Sequence, residues 1–451
     1  MKNIVLIGLP GCGKTTLGQM LAQKLGCKFT DFDDEIEKSA KMPISEIFAK
    51  HGEPYFRDIE SSAIKKAENE QGIIIATGGG AVLRSQNVKS LAKNGFIIFL
   101  DRTVADICSD VQIAHRPLLK AGSDAVAELE NKRRPIYESA ADVTVDVCGD
   151  ITDVLKELEM IALALNALGY AVIGDPIGHS LSPLLHNTAF KAQNINGNYA
   201  AIHVPHGKLK NFVAAVRGSP LKGFNATIPH KQNIIPLLDY IDEEAMLCGA
   251  VNTVVQQNGL LKGYNTDMEG LNLALKQAGH GFTNKNVLLI GAGGAARAVA
   301  LKAVLENAKS LHIAARSTEK ARELAEHVSK VTGITVNYSD NAATELEKAC
   351  KNADLLINAT PLGMKGIAEN HANLDFLAYM PKHGLVCDLV YNPLETALLK
   401  RAQELDIDIM NGLGMLVFQA LIAQELFFGK EINKQKLAGP ILQRLEREFK
   451  L

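Results

Sequence analysis

Several features that would place a chain of 451 residues in a specialised class are missing here. Neither sign of charge is in excess: 48 Lys and Arg stand against 50 Asp and Glu, a formal net charge of −2. That balance leaves no electrostatic footprint for nucleic acid or an anionic membrane as partner. The seven cysteines are scattered, odd in number and without a CxxC pair, which argues against a disulfide framework or a zinc site. Reduced thiols point to the cytoplasm. No apolar run approaches the roughly 20 residues needed to span a bilayer. The first strand pattern begins at Asn3-Ile4, which leaves no room for a targeting peptide and supports the same cytoplasmic expectation. Solenoid repeats, low-complexity segments and Ser/Gly/Pro-rich linkers are also lacking. What remains is a composition of 47% hydrophobic and 22% charged residues, that of a globular protein of two or three domains.

Apolar strands alternate with helical segments, the pattern of α/β architecture with parallel sheets. In the first half the strand candidates are Ile4–Ile7, Ile73–Ala76, Phe96–Leu100 and Val143–Val147. Asp150–Leu168 reads as one amphipathic helix, with Ile151, Val154, Leu155, Leu158, Ile161 and Leu165 on one face. A second α/β series opens at Tyr170-Ala171-Val172-Ile173, so a boundary is expected near Leu165, the halves being joined stiffly through that helix.

The stretch Gly8-Leu9-Pro10-Gly11-Cys12-Gly13-Lys14-Thr15 fits G-x-x-x-x-G-K-[ST] between an apolar strand and an amphipathic helix, the context that motif needs. Backbone N–H groups of Gly11, Cys12, Gly13, Lys14, Thr15 and Thr16 would curl around the phosphates of ATP. Lys14 would reach the β/γ-phosphates and Thr15 would ligate Mg²⁺. Asp31 and Asp33, in i, i+2 spacing at an expected strand end, would face one side of the site. One would support Mg²⁺ and the other an acceptor hydroxyl. Thr77-Gly78-Gly79-Gly80 follows an apolar strand and permits close backbone approach to a ligand.

These residues, with Gly52-Glu53-Pro54-Tyr55-Phe56-Arg57, Arg116-Pro117-Leu118-Leu119 and Arg133-Arg134-Pro135-Ile136-Tyr137, resemble the shikimate kinase family over about Lys2–Val147. The resemblance implies that Asp33, Arg57 and Arg133 hold the acid, with Gly79 and Gly80 along it, leaving Asp31 and Thr15 for Mg²⁺. Asp33 would orient the attacked 3-hydroxyl or take its proton. Arg116, on a mobile lid, would close over ATP and neutralise the transferring phosphoryl. The family carries a further arginine shortly before this lid motif. Ser109–His115 has none, so either lid closure is weaker or Arg102 substitutes.

In the second half, Gly174-Asp175-Pro176-Ile177-Gly178-His179-Ser180-Leu181-Ser182-Pro183 reads locally as a helix start, Ser182 capping and Pro183 first in the helix. The ordered set that follows resembles the shikimate dehydrogenase family from about Tyr170 onward. It comprises Asn225-Ala226-Thr227-Ile228-Pro229-His230-Lys231, Asn252-Thr253, Asn265-Thr266-Asp267, Asn358-Ala359-Thr360-Pro361, Asp388-Leu389-Val390-Tyr391 and Asn411-Gly412-Leu413-Gly414-Met415 with Gln419. The resemblance implies that Ser180 and Ser182 bind the substrate carboxylate, while Asn225, Thr227, Asn252, Tyr391 and Gln419 share the remaining contacts. Lys231 would donate the proton to the reduced ketone, with Asp267 holding and orienting it.

Val287–Ile290 runs into Gly291-Ala292-Gly293-Gly294-Ala295-Ala296, a dinucleotide-type turn. About twenty residues on, where an NAD site usually has a carboxylate, stand Ala315-Arg316-Ser317-Thr318-Glu319-Lys320. Arg316, Ser317 and Lys320 could clasp a 2′-phosphate, so the expected cofactor is NADP(H), with Thr360, Gly412 and Met415 also lining its cleft. The expected fold is therefore a three-layer α/β/α P-loop domain (1–165), followed by a substrate-binding domain (166–270, with a return at 411–451) and a Rossmann domain (271–410). The implied protein is a bifunctional enzyme of aromatic amino acid and chorismate biosynthesis. It would reduce 3-dehydroshikimate with NADPH and phosphorylate shikimate with ATP and Mg²⁺. The rival readings are a quinate-preferring dehydrogenase, or a kinase half that senses ligand without turnover. Oligomeric state is silent in the sequence.

Overall fold

The structure is a computed structural model; it describes residues 2–109, 123–166, 169–178, 180–217, 219–366 and 370–448. Contacts divide the chain into two compact units. One comprises Met1–Pro183, Asn196–Asp239 and Gln256–Leu261, and the other comprises Leu184–Ile195, Tyr240–Val255 and Lys262–Leu451.

The first unit begins with β1 (Asn3–Ile7), β2 (Phe29–Asp31), β3 (Ile74–Ala76), β4 (Gly95–Asp101) and β5 (Val143–Asp146). They form one parallel sheet in the order β2-β3-β1-β4-β5. Every residue of β1 is buried, as both-face coverage by helices requires, which explains why its sequence is continuously apolar rather than alternating. Because all five strands are parallel, the segments that follow them emerge at one end of the sheet. Those segments are the glycine loop after β1, Phe32 onward after β2, Gly78–Gly80 after β3 and Arg102 after β4. Ligand sites of open α/β sheets lie at this end.

The helix Ile151–Asn166 leads into β6 (Gly169–Gly174), which pairs in parallel with β7 (Asn198–His203) and β8 (Gly223–Ala226). That helix packs both on the helix Lys14–Leu25 and on β7. Lys24 pairs with Glu159 at 2.7 Å, and the Asn198 amide donates to Met160 O at 2.9 Å.

The second unit holds β9 (Tyr240–Ile241), paired in parallel with the end of β11 (Leu260–Tyr264), which follows β10 (Thr253–Gln257). Its main sheet comprises β12 (Asn286–Ile290), β13 (Ser310–Ala314), β14 (Asn337–Ser339), β15 (Leu355–Asn358), β16 (Leu385–Asp388) and β17 (Asp408–Met410). The order β14-β13-β12-β15-β16-β17 is all parallel, the doubly wound arrangement in which direction reverses between β12 and β15. Two apolar clusters cover its faces, one around Leu289, Val299 and Ile313, the other around Leu288, Leu356 and Leu398.

Candidate active sites

The glycine loop leaves β1 through Gly8, whose φ of +145° and close approach to Leu100 O (2.7 Å from an added Cβ) admit no side chain. It enters the helix Lys14–Leu25 at Gly13, which offers no side-chain cap, so the first-turn N–H groups are left to a ligand. Lys14 is buried, and its ammonium donates to Gly8 O at 2.9 Å and Leu9 O at 2.8 Å. The Thr15 hydroxyl donates to Asp31 at 2.7 Å, so the two residues expected to hold Mg²⁺ meet. This hard-oxygen pair beside a phosphate-binding loop suits Mg²⁺, which keeps most of its shell as water and phosphate.

Asp31 and Asp33 do not sit on one strand face as expected. Asp31 ends β2 and caps the next helix by accepting from Asp33 N at 2.9 Å, while Asp33 lies in that helix's first turn. The acceptor side is closed by the glycines after β3. An added Cβ at Gly78 would lie 2.7 Å from Asp33 Oδ1 and 3.0 Å from Glu60 Oε1; at Gly80 it would lie 2.3 Å from both terminal nitrogens of Arg57. Gly79 O accepts from Arg133 Nη1 at 3.0 Å and from the Tyr137 hydroxyl. Asp33, Arg57, Gly79, Gly80 and Arg133 are thus brought to the same end of the sheet.

Two contacts around these residues, those of Glu60 and of Tyr137, were not foreseen in the sequence. Glu60 is fully buried and takes Arg57 Nη1 at 2.8 Å, while Glu53 takes Nη2 at 3.0 Å, so the guanidinium is aimed from two sides. Burial pushes the Glu60 carboxyl up, Arg57 opposes that, and Asp33 adds to it. The i, i+3 spacing of Arg57 and Glu60 was the available signal. Tyr137 has its pKa pushed up to about 12 by burial, so it remains a donor to Gly79 O. Arg116 lies outside the described residues.

For the dehydrogenase residues of the first unit, the helix begins at Ser182 itself, and it is Ser180 Oγ that accepts from Ser182 N, at 3.3 Å. Ser182, expected to stand just before the helix, thus opens it, and Asp175 holds the preceding loop by accepting from His203 Nε2 at 2.9 Å and His206 N at 2.8 Å. His179 lies outside the described residues. Asn225 lies buried in β8, one residue before its end, with its carbonyl oxygen accepting from Tyr199 at 2.6 Å. That bond turns the amide nitrogen to the other side, and Tyr199 was not foreseen. Thr227 and Lys231 follow, both half-buried, Lys231 on the short helix His230–Asn233.

In the second unit Asn252 is held at both ends. Its Oδ1 accepts from Thr266 N (2.8 Å) and Thr253 Oγ1 (3.0 Å), and its Nδ2 donates to Asp267 Oδ1 (2.8 Å) and Thr266 Oγ1 (3.0 Å). Thr266 Oγ1 also reaches Gln419 Oε1 at 3.4 Å. Asn252, Asp267 and Gln419 therefore belong to one network, assembled where Gly270 lets the helix Leu413–Phe428 approach (2.8 Å from an added Cβ to Gln419 N). Tyr391 is half-buried beyond β16. The loop it occupies is pinned by buried Asp388, which accepts from Asn358 Nδ2 at 2.9 Å and Thr396 Oγ1 at 2.6 Å.

Gly291 leaves β12 at φ +119°, and an added Cβ would lie 3.1 Å from Thr360 Cγ2. The first glycine and Thr360 thus meet at the point where strand order reverses. Ala292, Gly293, Gly294 and Ala295 are accessible at the start of the helix Gly294–Leu305, which has no side-chain cap. Ala315 is buried just past β13, Arg316 and Lys320 are exposed, and Ser317 Oγ caps Lys320 N at 3.3 Å. A dinucleotide with a 2′-phosphate fits this donor set. Gly412 packs on Leu389 O, 2.1 Å from an added Cβ, and half-buried Met415 lies against the apolar core.

The family model for shikimate kinase matches residues 10–161. The models for the shikimate dehydrogenase substrate binding domain and for shikimate / quinate 5-dehydrogenase match residues 172–254 and 272–389. The NADP(+) shikimate dehydrogenase of Desulforamulus reducens is 40% identical over 259 residues, 57% of this chain and 89% of that protein. That of Nitrosopumilus maritimus is 41% identical over 264 residues, 58% of this chain and 93% of that protein. The crystal structure of shikimate 5-dehydrogenase from Thermus thermophilus in complex with NADP(H) and shikimate is 33% identical with a TM-score of 0.54, covering 61% of this chain and 98% of that one. The chain belongs to the shikimate dehydrogenase family and carries a shikimate kinase domain ahead of it, two enzymes in one polypeptide.

Proposed function

We propose that the chain reduces 3-dehydroshikimate to shikimate in its C-terminal half and phosphorylates the product's 3-hydroxyl in its N-terminal half. The observation that carries this reading is the pairing of the two families in one chain, one making the acid that the other consumes. Functionally we divide it into a kinase domain (1–165), a substrate-binding domain (166–270 with 411–451) and a Rossmann domain (271–410). The seven cysteines, all free thiols, support a cytoplasmic setting.

In the kinase, Arg57 and Arg133 grip the shikimate carboxylate, the guanidinium fork matching it in two bonds. Asp33 accepts the proton of the 3-hydroxyl as its oxygen bonds to the γ-phosphorus and the bond to the ADP oxygen breaks. Lys14 turns from the carbonyls of Gly8 and Leu9 to the phosphates. Thr15 and Asp31 hold Mg²⁺, and Arg116 neutralises the transferring group.

In the dehydrogenase, NADPH supplies the hydride. Ser180 and Ser182 hold the substrate carboxylate, and Asn225, Thr227, Tyr391 and Gln419 position the ring. Lys231 gives a proton to the oxygen that becomes the new hydroxyl. Asp267, itself fixed by Asn252, orients that ammonium. Arg316, Ser317 and Lys320 hold the 2′-phosphate, and Gly291 to Ala295 cradle the pyrophosphate, with Ala315, Thr360, Gly412 and Met415 lining the cleft.

Supplying the chain with 3-dehydroshikimate, NADPH, ATP and Mg²⁺ tests the reading. NADPH oxidation accompanied by shikimate 3-phosphate supports it, whereas accumulation of unphosphorylated shikimate refutes the kinase half.

A further inference from the structure

We propose that Arg102 is a positioning residue of the nucleotide loop, holding the Gly11–Cys12 peptide in the orientation that binds ATP. This deepens the kinase reading and rests on it. Arg102 directly follows β4, at the sheet end where the nucleotide loop emerges. Its half-buried guanidinium donates Nη1 to Gly11 O at 3.0 Å, across 91 residues of sequence.

Three observations make this contact more than an incidental surface bond. The first is its root. Asp101, the preceding residue, takes Arg134 in a two-pronged ion pair, Nη2 to Oδ1 at 2.5 Å and Nη1 to Oδ2 at 3.0 Å. Arg134 is braced further by Glu130 at 3.0 Å and Glu138 at 3.3 Å, so the backbone carrying Arg102 is anchored to the helix Ser123–Ala140. The second is what the contact completes. Cys12 N donates to Leu9 O at 3.2 Å, so the peptide between Gly11 and Cys12 is fixed at both its carbonyl and its N–H end, and that N–H is engaged within the loop rather than aimed at phosphate as expected. The third is the softness of the loop. Gly11 and Gly13 sit at φ +90° and +95°, where glycine's freedom leaves the backbone little intrinsic preference. A loop of this kind binds phosphate through converging N–H groups, so its affinity depends on how far those groups are fixed beforehand. The guanidinium also places a permanent positive charge beside the loop that receives a polyanion. Asp106, whose carboxyl is held below the usual range chiefly by the Thr103 hydroxyl, also feels this charge.

The experiment compares Arg102→Met and Arg102→Lys with the wild type in the full-length chain. It reads equilibrium binding of a fluorescent ATP analogue with Mg²⁺, KM for ATP, KM for shikimate and the rate of 3-dehydroshikimate reduction. For Arg102→Met, nucleotide binding and KM for ATP should weaken roughly 10- to 100-fold, the worth of one charge-assisted bond to a preorganised loop. KM for shikimate should stay within about twofold and reduction should be unchanged. Arg102→Lys should fall between, and millimolar methylguanidinium should restore part of the nucleotide affinity of Arg102→Met. Nucleotide affinity within about twofold of wild type in Arg102→Met would overturn the inference. So would a loss shared equally by ATP, shikimate and the dehydrogenase with no methylguanidinium rescue, since that pattern marks general destabilisation. If the wild type binds the analogue but does not phosphorylate shikimate, the kinase reading fails, while the binding series still decides the role of Arg102.

Discussion

Replacing Gly80 by alanine tests the acceptor site through a single methyl group. The added Cβ would sit 2.3 Å from Nη1 and Nη2 of Arg57 and 2.5 Å from Cζ, where ordinary contact begins at 3.4 Å. The guanidinium must therefore move by about 1 Å, a misplacement that can cost on the order of a hundredfold at a reacting site. It cannot swing freely, because Glu60 and Glu53 hold it at 2.8 Å and 3.0 Å, and Glu60 is fully buried. Moving the arginine away from Glu60 would strand a buried carboxylate, so the strain is resolved by a shifted, poorly aimed fork. Losing one of its charge-assisted bonds to the shikimate carboxylate, about 1.5–3 kcal/mol, raises KM for shikimate roughly 10- to 100-fold. Steady-state phosphorylation with shikimate and ATP varied separately measures this, with 3-dehydroshikimate reduction by the same sample reporting on folding. KM for ATP and the reduction rate should hold. An unchanged KM for shikimate in a folded variant would show that Arg57 does not bind the acid from this position.

Two further outcomes follow from buried groups in the second unit. His186 is fully buried, accepts from Gln424 at 3.1 Å, and burial depresses its pKa to about 3. Its contribution to stability is complete above the unfolded pKa of about 6.5 and is lost as pH falls. Between about pH 7.5 and pH 5.0, His186→Gln should therefore show about 2 kcal/mol less loss of stability by urea denaturation than the wild type; equal losses would contradict the assignment. Asn252→Asp would set a second carboxylate where Nδ2 now meets Asp267 at 2.8 Å. The like charges should lower kcat/KM for reduction by about tenfold or more while leaving phosphorylation unchanged, and unimpaired reduction would remove Asp267 from its proposed role.

The features legible in the sequence were those written in contiguous residues. The glycine loop is a backbone device, and its motif, strand and helix lie side by side in the chain, as do β12 and Gly291. Both-face burial made β1 and β12 apolar runs, and their limits agree with the expected strands to within one residue. Local readings failed where tertiary packing chose between two conformations open to the same residues. Asp31 and Asp33 were divided between a three-residue strand and a helix start, and Ser182, expected just before its helix, opens it. Among the groups that aim the proposed site residues, those with remote partners were hardest to foresee. Tyr137 meets Gly79 across 58 residues and Thr266 meets Gln419 across 153. No periodicity links such pairs. Only the parallel sheet and the packed helices bring them together.

The central claim is that two independent sites act in sequence on one small acid. Its most direct test is Lys14→Ala and Lys231→Ala in the full chain, each supplied with 3-dehydroshikimate, NADPH, ATP and Mg²⁺. Lys14→Ala should oxidise NADPH at the wild-type rate and accumulate shikimate without its phosphate. Lys231→Ala should leave NADPH intact yet phosphorylate added shikimate at the wild-type rate. Loss of both activities in either folded variant would contradict the account.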